Sequence, residues 1–181
     1  GGAIQGDLFA NFTGNEAGEA KKSNLETLET LNCDYQLIDT EKKRAEIIQK
    51  LLTSKILSLD TETTGTEPMD AELVGMSFSI TENQAFYVPV PDNREEALKI
   101  VNEFRPVFEN ENSLKVGQNI KYDMIVLENY GVQVKGALFD TMIAHYVLQP
   151  ELRHGMDYLA EIYLHYQTCL LYTSDAADDL T

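Results

Sequence analysis

Residues 55–90 read KILSLDTETTGTEPMDAELVGMSFSITENQAFYVPV. Lys55–Leu59 is a compact apolar strand that ends at Asp60. Thr64, Gly65 and Pro68 mark a turn. Leu73–Ile80 alternates as a second strand, and Ala85–Val90 forms a third, joined to it by the turn Thr81–Gln84. Three consecutive hairpin-like strands before the first long helix argue against a doubly wound parallel fold. They predict an α/β chain with a mixed sheet and helices packed over it.

The flanking sequence extends this pattern. Tyr35–Ile38 is a short apolar strand. Thr40 is placed to cap a helix over Glu41–Leu52, whose apolar spacing runs through Ile47, Ile48, Leu51 and Leu52. Asn93–Glu109 predicts a helix with Ala97, Ile100, Val101, Phe104 and Phe108 on one face, distorted near its end by Pro106. Leu114–Val116 is another strand. Ile120–Tyr130 is a helix closed by Gly131. Asp140 caps a helix through Leu148, stopped by Pro150, and Gly155–Tyr166 is the last helix. No internal repeat is visible.

The chain has 181 residues, 43% of them hydrophobic, which suits one domain with its own core. The two cysteines, Cys33 and Cys169, are too few for a disulfide framework or a zinc site. No apolar run is long enough to span a membrane and no secretory signal opens the chain, so a cytoplasmic setting is expected. Fourteen Lys and Arg against 30 Asp and Glu give a net charge of −16. Strong autonomous binding to nucleic acid needs a basic footprint, and this chain has the opposite. An acidic chain still acts on nucleic acid if metal ions hold the phosphate.

Both ends differ in character. Residues 1–33 are rich in Gly, Asn, Glu, Lys and Ser, with no sustained apolar period, and are expected to be a disordered linker. The missing initiator Met is expected to mean a fragment of a longer chain. Residues 169–181, CLLYTSDAADDLT, resemble a transposon-based sequencing adaptor read through as coding sequence, and native sequence is expected to stop near Thr168. The domain is therefore expected over residues 34–168.

Carboxylates are the candidates for carrying chemistry. Asp60 and Glu62 are two apart, and residues two apart in an extended strand point to one face. Two carboxylates there repel and are costly to desolvate, and a divalent cation resolves that cost. Taken alone, a strand end whose two acids simply face water explains them better. Asp123 follows the strand end and turn of Val116-Gly117-Gln118-Asn119, with Asn119 able to cap the next helix. It could project toward the face of Asp60, or simply favour the helix dipole. Asp140, in Phe139-Asp140-Thr141-Met142, reads as an N-cap. His154 and Asp157 read as residues that start a helix, and His145 and His165 as packed or surface histidines.

In this order and spacing, LDTETTG, GQNIKYD, FDTM and RHGMDYLAE resemble the 3′–5′ proofreading exonuclease domain of bacterial family A DNA polymerases. That domain belongs to the DEDD superfamily and has a ribonuclease-H-like fold. The resemblance runs from Asp34 to Thr168, and the preceding IQGDLFANF and LETL resemble the linker from the family's 5′ nuclease domain. It implies that Asp60, Glu62 and Asp123 are metal-binding and catalytic. It implies that Gln118, Asn119 and Tyr122 shape the pocket for the 3′-terminal nucleotide, and that Thr61, Thr64 and Thr66 contact or pack near it. It further implies two divalent ions, Mg²⁺ or Mn²⁺, a single-stranded or frayed DNA 3′ end as substrate, a polymerase domain in the parent chain, and a monomer.

The family's third motif, Tyr-x-x-x-Asp, supplies a fourth carboxylate. No such pair follows Thr168, since Tyr172 is followed by Ala176. The chain is therefore expected to be truncated at its C-terminal side: the parent protein is expected to be an active exonuclease, and this piece to lack full activity, being nearly inactive or misfolded. Two other readings stay open: a related DEDD exoribonuclease, and a catalytically silent, exonuclease-like spacer domain.

Overall fold

The structure, a computed structural model, describes residues 25–168. The expected adaptor-like tail, most of the expected linker, and any third motif lie outside the described residues.

The elements follow in the order β1 (Asp34–Leu37), α1 (Glu41–Thr53), β2 (Ile56–Thr63), β3 (Leu73–Thr81), β4 (Gln84–Pro89), α2 (Arg94–Glu103), α3 (Arg105–Phe108), β5 (Leu114–Gly117), α4 (Ile120–Glu128), β6 (Leu138–Asp140), α5 (Thr141–Leu148) and α6 (Met156–Leu164). The strands form one six-stranded sheet in the order β1-β4-β3-β2-β5-β6. β3 is antiparallel to β2 and to β4, while β1 is parallel to β4, β5 to β2 and β6 to β5. The mixed sheet expected from the three early strands is thus present.

Register sorts the two faces. Leu59, Phe78 and Phe86 stand side by side on β2, β3 and β4, as do Thr61, Met76 and Val88, and all six are buried. This face meets the helices. Phe78 stacks on Phe104 at 5.3 Å between ring centroids and tilts against Phe108 at 5.6 Å. Burying aromatic side chains of this size dominates a core's energetics. The same core takes in Ile47 and Leu51 of α1, Ala97 and Val101 of α2, and Val126 and Leu127 of α4. On the other face lie Ser58, Asp60 and Glu62 of β2, Ser77 and Ser79 of β3, and Tyr87 of β4, each only part-buried or exposed.

Several boundaries depart from the sequence expectation. β2 does not end at Asp60 but runs through Thr63, because β3 continues to pair with it as far as Leu73 opposite Thr63. Asp60 and Glu62 therefore both lie within a paired strand. The helix expected over Asn93–Glu109 breaks at Phe104 into α2 and α3, with Pro106 at the start of the second, where a missing N–H costs nothing. β6 was not anticipated. Its three residues carry no alternation of their own, and it exists only because β5 offers it a parallel edge. Glu26, within the expected linker, is bridged to Tyr166: Glu26 N–H donates to His165 O, and Gln167 N–H donates to Glu26 O, both at 2.8 Å.

Candidate active site

β2 pairs with β5 only from Ile56 to Ser58, after which β5 turns away into α4. In an antiparallel ladder the N–H groups of alternate residues point away from the partner strand. The Thr61 N–H, on the side β5 has left, needs another acceptor. Asp123 supplies it. Its Oδ1 accepts from Thr61 N–H at 2.8 Å and from Thr61 Oγ1–H at 2.6 Å. Asp123 is 1% exposed, and its Oδ2 has no hydrogen-bond partner among the described residues. Burial pushes its carboxyl up to about 6, against the lowering pull of the two Thr61 bonds. The nearby charge of Asp140 adds to the rise.

The three acids thus converge on one short stretch of β2, from different sides. Asp60 and Glu62 stand on the open face, while Asp123 arrives at the residue between them from the covered side. Among the described residues no three His, Cys, Asp or Glu side chains stand together as a metal centre requires. In donor chemistry the residues fit a hard divalent cation, which takes carboxylate oxygens, and Asp123 Oδ2 is a buried acceptor with nothing to accept. In spacing they do not close a coordination sphere.

Asp123 is aimed by α4, and α4 is anchored from outside itself. The expected cap, Asn119, lies in the left-handed region at φ 55° and makes no side-chain capping bond. Asp140 does the capping instead. Its Oδ2 accepts from Ile120 N–H at 2.9 Å and its Oδ1 from Asn119 N–H at 3.2 Å. The same Oδ1 accepts from Met142 and Ile143 N–H at the start of α5. One carboxylate therefore caps two helices. Only its role on α5 was legible in the sequence.

The remaining expected residues are placed as follows. Thr61 is 8% exposed with its hydroxyl committed to Asp123, so it anchors the acid rather than facing a substrate. Tyr122 Oη lies 2.6 Å from Thr63 Oγ1 and donates to Gly65 O, tying α4 to the end of β2. Thr64 Oγ1 accepts from Glu72 N–H at 3.1 Å and closes the loop before β3. Thr66 is exposed on that loop. Gln118 is spent at both ends: Nε2 donates to His154 O at 2.6 Å and Oε1 accepts from Thr141 Oγ1 at 2.5 Å. His145 and His154 meet Nδ1 to Nδ1 at 2.6 Å, so one ring must donate while the other accepts. Tyr87, on the open face, was not anticipated. Burial, and then the neighbouring charge of Glu62, hold its hydroxyl above the ordinary range.

Comparison with known proteins assigns the chain to a family. The sequence profile described as 3′-5′ exonuclease matches residues 35–178. DNA polymerase I of Borreliella burgdorferi is 34% identical over 143 residues, covering 77% of this chain and 16% of that protein. The chain thus spans about a sixth of the relative's length. Among solved structures, the catalytic core of RRP6 from Trypanosoma brucei superposes with a TM-score of 0.65 at 20% identity, covering 86% of this chain and 41% of that one. NrnC of Brucella melitensis, in a structure with bound Mg²⁺, superposes with a TM-score of 0.60 at 18% identity, covering 83% of this chain and 69% of that one. The two structures share the fold, while the profile and the polymerase carry the assignment: the chain belongs to the 3′–5′ exonuclease family of DNA polymerase I.

Proposed function

We propose that the chain is the proofreading part of a DNA polymerase I, removing nucleotides one at a time from a single-stranded or frayed DNA 3′ end. The observation that carries this reading is Asp123, buried and anchored through one oxygen to the residue between Asp60 and Glu62, with its other oxygen buried and unpaired among the described residues. In this reading Asp60, Glu62 and Asp123 hold divalent ions, Mg²⁺ or Mn²⁺. Ions held there would supply Lewis-acid activation of water and would stabilise the departing 3′ oxygen. The chain's own residues do the rest. Thr61 fixes the direction of the Asp123 carboxylate. Tyr122, through Thr63 and Gly65, fixes the end of β2 against α4. Gln118, bonded to His154 and Thr141, holds the β5–α4 turn, and in this reading Gln118, Asn119 and Tyr122 shape the terminal-nucleotide pocket, with Thr64 and Thr66 contacting the nucleotide or packing near it. The product is a nucleoside 5′-monophosphate. A mispaired end frays at lower cost, which biases removal toward errors.

The polymerase domain as covalent partner, the linker over 1–33, the domain over 34–168, the foreign tail at 169–181, the monomeric state and the cytoplasmic setting belong to the same proposal. Among the described residues no helix is long and apolar enough to cross a membrane. The absence of a three-carboxylate cluster among those residues favours one other reading, a silent spacer domain.

The test is release of nucleoside monophosphate from a 3′-labelled single strand in Mn²⁺. The expected result is weak release from DNA by this chain, well below that of a chain carrying the third motif, and its loss in Asp60→Ala and in Asp123→Ala. Faster release from RNA than from DNA selects the exoribonuclease reading. No release, together with no Mn²⁺ binding by calorimetry, selects the spacer.

A further inference from the structure

Glu62 of β2 stands directly opposite Gly75 of β3. Directly opposed residues of an antiparallel pair turn their side chains to the same face, about 5 Å apart. Gly75 offers Glu62 no side chain, and Tyr87 of β4 takes that place. A Cβ built on Gly75 would collide with the Tyr87 hydroxyl, Cε2 and Cζ. Tyr87 itself pairs with Ser77, so it is diagonal to Gly75 and leans along the sheet to cover it. The backbone at Gly75 does not require glycine, because the glycines with positive φ are Gly131 and Gly136. What requires glycine at 75 is the ring above it.

We propose that Tyr87, seated on Gly75, is a positioning residue for Glu62. The ring walls the β3 side of Glu62, so the carboxylate cannot lean across β3 and stays over its own strand. The ring does this and the hydroxyl does not: the hydroxyl's hydrogen bond is a long one, 3.5 Å to Val74 O. The proposal rests on the reading of Glu62 as a metal ligand for its purpose, but not for its geometry. Partners that orient a ligand in this way typically change metal affinity by about tenfold or more when removed.

The test uses the 181-residue chain labelled for NMR. Side-chain relaxation and three-bond couplings of Glu62 are measured with nuclear Overhauser contacts to the Tyr87 ring, and Mn²⁺ affinity is measured by calorimetry. Wild type and Tyr87→Phe are expected to hold Glu62 in one rotamer against the ring. Tyr87→Ala is expected to release it to rotamer averaging while amide shifts away from β2–β4 stay in place, and to weaken Mn²⁺ binding about tenfold. Gly75→Ala is expected to do the same by evicting the ring, and Tyr87→Ala carries the test if that variant does not fold. Equal averaging of Glu62 in wild type and Tyr87→Ala overturns the proposal whatever the metal does. A fixed Glu62 that is freed by Tyr87→Ala, with Mn²⁺ affinity unmoved by Glu62→Gln, supports the positioning and sinks the metal reading instead.

Discussion

Thr61 gives Asp123 two donors on one oxygen, and both strengths and costs follow from that. A hydrogen bond to a charged group contributes about 1.5–3 kcal/mol. Thr61→Val keeps the shape and removes the hydroxyl donor. We expect a loss of about 2 kcal/mol in urea unfolding at pH 7 in EDTA, with Thr61→Ser retaining most of it. Asp123 also sets a pH dependence. Burial holds its carboxyl up at about 6 in the folded chain, against an ordinary value of 3.8. Between those values the folded state binds a proton that the unfolded state has lost, so this group's contribution is full at pH below 3.8 and disappears as pH rises through about 6. The size is on the order of 3 kcal/mol. Other carboxylates titrate in the same range, so the quantity to measure is the stability difference between wild type and Asp123→Asn in EDTA from pH 4 to 7. It should shift against wild type as pH rises. A flat difference would show that Asp123 does not titrate in that window.

At the scale of elements, Asp140 joins three pieces: the end of β6, the start of α4 and the start of α5. An N-cap lost to alanine costs about 0.5–2 kcal/mol, and here two helices lose theirs together. Asp140→Ala should therefore cost about 2–3 kcal/mol in chemical denaturation. Asp140→Asn, which still accepts through one oxygen, should cost less. Because α4 aims Asp123, the alanine variant should also loosen the Thr61–Asp123 bond, read as faster hydrogen exchange at the Thr61 amide. Unchanged exchange there would separate the cap from the site.

Across the whole molecule, a net charge of −16 repels both nucleic acid and a further acid beside Asp60 and Glu62. A cation bound only by the folded chain offsets that repulsion and stabilises the fold. At a hundredfold excess over Kd the gain is about 2.7 kcal/mol. For a chain of this size that corresponds to a rise in Tm of about 5–10 °C. We expect Mn²⁺ to produce such a rise in differential scanning fluorimetry, and Asp60→Asn to abolish it while leaving the metal-free Tm within a few degrees. A rise of the same size in Asp60→Asn would place the ion elsewhere.

The strand–strand–strand run over Lys55–Val90 determined the mixed sheet by itself, because alternation and turn chemistry are local and survive in one dimension. The acids were legible as types and spacings: Asp60 and Glu62 share a face because a strand has period two. What the sequence left open depends on contacts between segments remote along the chain. β6 exists through the edge that β5 offers, and β2 runs past Asp60 because β3 stays paired with it. Asn119 looked like a cap, but the cap comes from Asp140, on another strand. Tyr87 looked like one more alternating residue until the register placed it over Gly75 and beside Glu62. Asp123 could be read as a helix-dipole charge, and only the fork between β2 and β5 left a strand N–H for it to bind. Local pattern fixed which residues could carry the chemistry; pairing register and the departure of β5 decided where each of them stands.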